Sequence, residues 1–432
     1  MEHQKTMSSV IPQKLPLGVT DFSQIRTENY YYVDKTQFIE DVCDHRYRAS
    51  LIARPSGFGK TLCLDMLRCF FEMDSDKSLF AGLHISKNTE LCERYMGKYP
   101  VIAISFKNVN AKNYEKAREQ LKKTVIEEAQ RFLFLKDGDK LNADQKDWYL
   151  SVLKPKKNTV ALEESLANLA MVLQWYYKRC AILMVDDWDT PMLAAARYGY
   201  YDQMALTLRR MVEIAVGAND CVEFSVLMGC LHIPFGGGYF DPYNYKYDSI
   251  LRGQALNAGG FDESDIKEIT EYYGLSDSME EVNRYCGGYQ IITTKLFSPS
   301  LVLDFIAEAI EDQPALKLKQ ATEAKEYRKL DAILSCEDYF DAVVQRSMKK
   351  LLNGESIQTE IKPYVKYKED NMALTNPLWS ILLLYGYLTV DCRGKYAGFD
   401  FYIIRVSNDK SREKLQDWLI VWKSKNRGDD PK

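Results

Sequence analysis

The feature that most constrains this chain is a short run, Gly57-Phe58-Gly59-Lys60-Thr61, set between an apolar segment and an amphipathic one. Residues 48–53 (RASLIA) read as a buried strand. From Lys60 onward, Leu62, Met66 and Phe70 recur four apart, and Leu67 and Phe71 extend the same face, which predicts a helix. Glycines let a strand-to-helix turn curl so that successive N–H groups point inward, and the helix N-terminus adds its dipole. The result is a phosphate cradle. Lys60 can then reach β- and γ-phosphates, and the Thr61 hydroxyl can hold Mg²⁺. The residues expected to contact nucleotide are Arg54, Ser56, Gly57, Phe58, Gly59, Lys60, Thr61 and Leu62. Arg54 stands where the full GxxxxGK[ST] pattern has its first glycine, so the motif is incomplete and is weak taken alone.

A second motif strengthens it. Residues 180–189 read CAILMVDDWD, an apolar strand that delivers Asp186 to its C-terminal tip, where ligands bind in open α/β sheets. This is a Walker-B arrangement, with Asp186 expected to bind Mg²⁺ beside Thr61. Asp187 stands at the position of the water activator. An aspartate is one methylene shorter than a glutamate, which reduces its reach. The plain alternative is a helix N-cap cluster, since Asp-x-x-Thr-Pro favours a turn and a helix start. His232, just beyond the strand at residues 223–228 (EFSVLM), is the candidate sensor of the γ-phosphate; a lone histidine is more often a packed or surface residue.

Strands alternate with helical patterns through the first half. Residues 100–106 (PVIAISF) read as a strand, and Tyr114, Ala117, Leu121, Val125, Ala129 and Phe132 mark an amphipathic helix. Residues 135–159 are polar and Lys-rich and read as a loop-rich insertion with room for a short helix. Leu162, Leu166, Leu169 and Leu173 mark another helix, and residues 201–216 a further one. This alternation implies a mostly parallel sheet covered on both faces. Past residue 250 helical patterns dominate, with stretches at 263–273, 300–310, 314–322, 337–352 and 378–385; a strand pair follows at 387–391 and 399–405, then a last helix. The expected division is a tail at 1–14, an α/β nucleotide-binding core at 15–250, and a mainly helical, lid-like region at 251–432.

Other classes fit poorly. With 46% hydrophobic and 27% charged residues in 432, the chain can bury a large core and is neither disordered nor fibrous. A net charge of −4 argues against a dedicated nucleic-acid coat. The longest apolar run, ILLLYGYL at 381–388, is far below the roughly 20 residues of a membrane-spanning helix, so no membrane is expected as a partner. Ten cysteines are scattered without a CxxC, and only four histidines occur, none in metal-ligand spacing. The polar N-terminus has no apolar signal core, so reduced thiols and a cytoplasmic location are expected. The 29 tyrosines cluster at 30–32, 176–177, 198–201, 239–247, 272–273, 285–289 and 385–387, and read as packing between core and lid rather than a stacking surface for bases.

At this point the chain resembles the bacterial AAA-ATPase-like proteins that are often fused to a C-terminal PD-(D/E)XK-type nuclease domain. The resemblance covers about residues 15–408. It rests on LPLGVTDF (15–22), NYYYVDKT (29–36), ARPSGFGKTL (53–62), MGKYPVIAISFK (96–107), LMVDDWDTPM (183–192), YGYYD (198–202), YCGGY (285–289) and LWSILLLYGYLT (378–389). It implies an AAA-like P-loop NTPase core with ATP and Mg²⁺ as cofactors. Where the family usually has a basic pair, Glu-Tyr, arginine and aspartate, this chain has Ser56-Gly57, Asp187-Trp188, His232 and Gly287. Mg-nucleotide binding is therefore expected, with hydrolysis weak. The other reading is a catalytically degenerate regulator or scaffold. No nuclease core is found in residues 390–432. A nucleic-acid partner follows only from the family's nuclease fusions, since the weak basic run Lys154, Lys156 and Lys157 reads far better as a solvated loop. A homo-oligomer or a protein partner is left open.

Overall fold

The computed structural model describes residues 13–43, 47–154, 161–217, 219–232, 245–251, 257–291, 294–311, 330–331, 333–334, 342–362, 377–396 and 399–425. Residues 1–12 of the expected tail at 1–14, the glycines at 236–238, the helix at 314–322, the start of the helix at 337–352 and the last seven residues lie outside these; Lys14, the last residue of that tail, is paired through its backbone with Asn29 and Tyr31.

Five parallel strands form the central sheet. They are β1 (Ala49–Ala53), β2 (Val101–Ser105), β3 (Ala181–Asp186), β4 (Val222–Gly229) and β5 (Tyr245–Asp248), in the order β2-β3-β4-β1-β5. The strand before the glycine-rich turn, β1, and the strand ending in Asp186, β3, are thus separated by β4. Register pairs Ala53 with Gly229 and Ser105 with Asp186, so the strand tips end at one edge.

Side chains alternate across the pleat, which explains the unbroken apolar runs. Leu51, Ile102, Ile104, Leu183, Val185 and Leu227 pack into a core on one face. Ile52, Val101, Ile182, Met184, Val226 and Met228 pack on the other, against the helix Lys60–Phe71. With both faces covered, both sets are mainly apolar, and the buried Ser225 on β4 satisfies its hydroxyl on the Arg48 carbonyl. The first core also takes in Leu378, Leu382, Leu388, Leu415 and Trp418, so the C-terminal region shares its apolar interior with the sheet. A third cluster joins Leu15, Leu17 and Tyr31 of the N-terminal segment to Phe261, Ile266, Val302 and Ile306.

Several elements differ from the sequence reading. The insertion read as loop-rich holds a helix, Ala143–Leu153, opened by a full capping box on Asn142 and Gln145. The helix read to 216 ends at Val212 and passes into a π turn, Glu213–Gly217. Edge strand β5 was not foreseen; its sequence, YKYD, has no apolar run, and its first three residues are only half-buried. The C-terminal region is helix-rich, but carries more strand than expected. A hairpin pairs β6 (Tyr289–Ile291) with β7 (Thr294–Leu296), and β8 (Ile357–Thr359), β9 (Leu388–Tyr396) and β10 (Phe399–Val406) form an antiparallel sheet. Among the described residues no helix is long and apolar enough to cross a membrane.

Candidate functional site

A cavity of about 360 Å³ opens over the turn between β1 and the helix Lys60–Phe71. Residues 56–63 form its floor. Residues 16–20 and 31–33 of the N-terminal segment form one wall. Residues 259–261 and 299–300, with Leu303 and Asp304, form the other, and Asp187 lines the rim. The size falls in the roughly 300–1,000 Å³ range of small-molecule sites.

The turn has the conformation its glycines allow. Gly57 and Gly59 have φ of 78° and 80°, in the left-handed region. Gly59 is the helix N-cap and has no side chain to offer, so no capping side chain takes the first-turn N–H groups at the cavity floor. Lys60 folds back over the turn. Its Nζ donates to the carbonyls of Arg54 (3.0 Å) and Pro55 (2.9 Å) and lies 3.3 Å from Cys230 Sγ. Thr61 Oγ1 donates to Asp186 Oδ2 at 2.6 Å.

Asp186 is buried, and its Oδ1 accepts from the Asp187 N–H at 2.9 Å. Burial pushes its carboxyl above the usual range, and the negative charge of Asp187 adds to this; the Thr61 hydroxyl and Lys60 oppose it. Asp187 has φ of 50°, a left-handed conformation that aspartate and asparagine adopt more readily than other side-chain-bearing residues. Among the described residues no group of three or more His, Cys, Asp or Glu gathers for a metal. A hydroxyl touching a carboxylate is nonetheless a donor set that suits Mg²⁺, which keeps waters and phosphate oxygens as its remaining ligands.

Two expected site residues lie elsewhere. The Arg54 side chain is fully buried and points at β5, where its Nη2 donates to Asp248 Oδ2 at 2.7 Å. It does not line the cavity; a carboxylate in the core and the carbonyl of Ala53 hold the guanidinium away from it. His232 is also absent from the lining, and its ring packs 4.2 Å from that of Tyr247 on β5. At the tip of β4 the side chain beside Lys60 is Cys230, two residues earlier. Ser56, Gly57, Phe58, Gly59, Lys60, Thr61, Leu62 and Asp187 do line the cavity. Leu62, also read as part of the helix's apolar face, is only half-buried at its rim.

The sequence reading placed tyrosines 285–289 and 385–387 between core and lid but did not foresee the backbone contacts that the C-terminal region makes to the turn. Gly57 O accepts from the Ser300 N–H (3.1 Å) and Phe58 O from the Gly260 N–H (3.0 Å), while the Ser56 N–H donates to Tyr385 O (3.2 Å). The Phe58 ring meets Tyr289 edge to face at 5.0 Å. Gly259 has φ of 78°, and a Cβ there would lie 2.1 Å from Phe58 O. Beyond the Gly259-Gly260 pair, the sequence carries no local signal for these contacts, because backbone groups of distant segments make them.

A second cavity, about 290 Å³, lies on the other flank of Thr61 and Asp186 and is lined by Asp65, Arg68, Ser105, Glu128 and Arg131. Glu128 Oε1 accepts from the Ala103 N–H (2.8 Å) and from Arg131 (2.7 Å). Burial pushes its carboxyl up to about 7, against the pull of Arg131 and the Ala103 N–H.

A five-stranded parallel sheet covered on both faces, with a glycine turn at one strand tip and a Thr–Asp contact across to another, defines an α/β core of the P-loop NTPase kind with a helix-rich C-terminal region. The chain belongs to the AAA-ATPase-like family, described as "Predicted AAA-ATPase", whose profile matches residues 16–236. A stretch of 95 residues is 38% identical to the "Uncharacterized protein in vnfD 5'region" of Azotobacter chroococcum mcd 1. That match covers 22% of this chain and spans only 17% of that protein's length.

Proposed function

We propose that this protein binds ATP with Mg²⁺ in the cavity over residues 56–63 and turns it over slowly, coupling nucleotide state to its C-terminal region. The carrying observation is the juxtaposition of an uncapped helix N-terminus, Lys60, and the Thr61–Asp186 contact at one edge of the sheet. Phosphates would lie along residues 57–62, where backbone N–H groups and the helix dipole favour negative charge. Leu17, Val19, Tyr31, Phe261 and Leu303 supply an apolar wall suited to a nucleobase.

Thr61 and Asp186 would hold Mg²⁺, which supplies charge neutralisation along the phosphates. The residues of the chain do the rest. The three donors of Lys60 are directed to Arg54 O, Pro55 O and Cys230, so engaging a phosphate requires the ammonium to leave at least one of them. Asp187, on the rim, orients the attacking water and accepts its proton. The family description extends only to a predicted ATPase; the choice of ATP and Mg²⁺ and the role of each residue belong to the proposal.

A second reading is a nucleotide-holding regulator without turnover. Two observations favour it: the rim acid is a short aspartate, and among the described residues the lining has Lys35 and Lys60 but no arginine. A nucleic-acid partner, an oligomer and a cytoplasmic location have no support beyond the sequence reading. Thermal shift and phosphate release, run on wild type and Lys60→Ala, test the proposal. At Mg-ATP about 100-fold above Kd, mass action should stabilise wild type by about 2.7 kcal/mol and leave Lys60→Ala nearly unmoved. No shift in wild type, or equal turnover in both proteins, would overturn it. A wild-type shift without phosphate release would select the regulator.

A further inference from the structure

Asp189 is the N-cap residue of the helix Thr190–Tyr198 but makes no side-chain cap. An aspartate in that position ordinarily turns its carboxylate back onto the helix. Here the carboxylate is buried and directed away. Oδ2 accepts from the Tyr385 hydroxyl at 2.8 Å, and Oδ1 from the Cys230 N–H at 3.1 Å. The N-cap-cluster alternative therefore does not account for it. Burying a carboxylate is expensive without such partners, and these two come from segments far apart in sequence. Room for it is made by Gly229, where a Cβ would lie 2.4 Å from Asp189 Oδ1.

Tyr385 grips the opposite side of the site at the same time. Its carbonyl accepts from the Ser56 N–H at 3.2 Å. The next residue, Gly386, has φ of 91°, and a Cβ there would stand 2.8 Å from Pro55 Cβ. The 385–386 corner thus lies against the turn itself. Lys60 rests on groups that this pair fixes: Pro55 O beside the corner, and Cys230, whose N–H Asp189 holds.

We infer that Asp189 and Tyr385 are positioning residues for the phosphate site, tying the turn before Lys60 and the tip of β4 to one corner of the C-terminal region. Neither touches the cavity. The pair acts through Lys60 and sets where its ammonium waits. Its effect on affinity rests on the nucleotide reading; its effect on the turn does not.

The test uses the full chain with Tyr385→Phe, Asp189→Asn and the double variant. Amide hydrogen exchange is measured first without nucleotide. Tyr385→Phe should exchange about tenfold faster at Arg54, Ser56 and residues 228–232, while β2 stays at the wild-type rate. Mg-ATP titration by calorimetry follows. Each single variant should bind about three- to tenfold more weakly, the size expected for one lost hydrogen bond, and the double no more weakly than the worse single. Unchanged exchange at both segments, a uniform rise that includes β2, wild-type affinity in Tyr385→Phe, or additive losses would each overturn the inference. If wild type binds no Mg-ATP, the nucleotide proposal falls while the exchange arm still decides the pair.

Discussion

The Arg54–Asp248 pair offers the sharpest energetic test of how this site is built. Both side chains are fully buried, 2.7 Å apart, and they join the first residue after β1 to edge strand β5. Asp248→Ala leaves a guanidinium in the core without that counter-charge. Breaking a buried pair on one side costs about 3–5 kcal/mol, because the desolvated survivor loses its compensation. Each kcal/mol shifts Tm by about 2–4 °C for a unit of 150–250 residues, so Asp248→Ala should melt roughly 6–20 °C below wild type. Replacing both partners with apolar residues of similar volume, as in Arg54→Met with Asp248→Leu, removes both charges and should recover most of that loss. Differential scanning calorimetry at one fixed scan rate reads all three proteins, since irreversible unfolding makes Tm depend on rate. The same double variant should keep near wild-type Mg-ATP affinity, because the guanidinium is turned away from the cavity. An Asp248→Ala Tm within about 2 °C of wild type, or a double variant less stable than Asp248→Ala, would refute the reasoning.

Three further outcomes follow from the same structure. Glu128 carries a carboxyl raised to about 7 by burial, above its ordinary value of 4.5, so the folded state holds a proton that the unfolded state has lost between those values. That contribution is fully present below about pH 4.5 and is lost as pH rises through 7; Glu128→Gln should therefore gain on wild type in unfolding free energy between pH 5 and pH 8, by up to a few kcal/mol, read as a rise in relative Tm, and a pH-independent difference would contradict it. Gly259→Ala forces a side chain into a left-handed backbone and against Phe58 O, so it should cost at least about 1–2 kcal/mol by thermal melting and weaken Mg-ATP binding; wild-type behaviour in both would show that the turn is not clasped there. Asp187→Glu extends the rim acid by one methylene and should raise phosphate release about tenfold, equivalent to about 1.4 kcal/mol in barrier, as read by a malachite-green assay; no rise would place the limit elsewhere.

What the sequence revealed and what it hid follow one physical rule. β1, β3 and β4 were legible because strands covered on both faces are nearly continuously apolar. The glycine turn and Lys60–Phe71 were legible because a four-residue period and two glycines each have a local cause. β5 was hidden because its first three residues are only half-buried, and YKYD is held by pairing with β1, by its tyrosines against the core and by Asp248 meeting Arg54. Arg54 and His232 lie away from the cavity for a related reason: a motif position fixes where the backbone goes, while the side chain follows a nearby compensating partner. Arg54 finds a buried carboxylate and His232 an aromatic ring, both on the strand that sequence did not show. Asp189 and Tyr385 were invisible as a pair because their bond spans 196 positions, although each sits in a motif that was recognised. The C-terminal region is therefore part of the site's construction. It donates N–H groups to two carbonyls of the turn, accepts one N–H from it, and buries apolar side chains in the same core as the sheet. Coupling between two regions needs an element whose arrangement both can bias. Under the proposed function, residues 54–60 are where such an element would lie, since Lys60 faces the cavity and the turn it rests on is contacted by Tyr385 and Gly386.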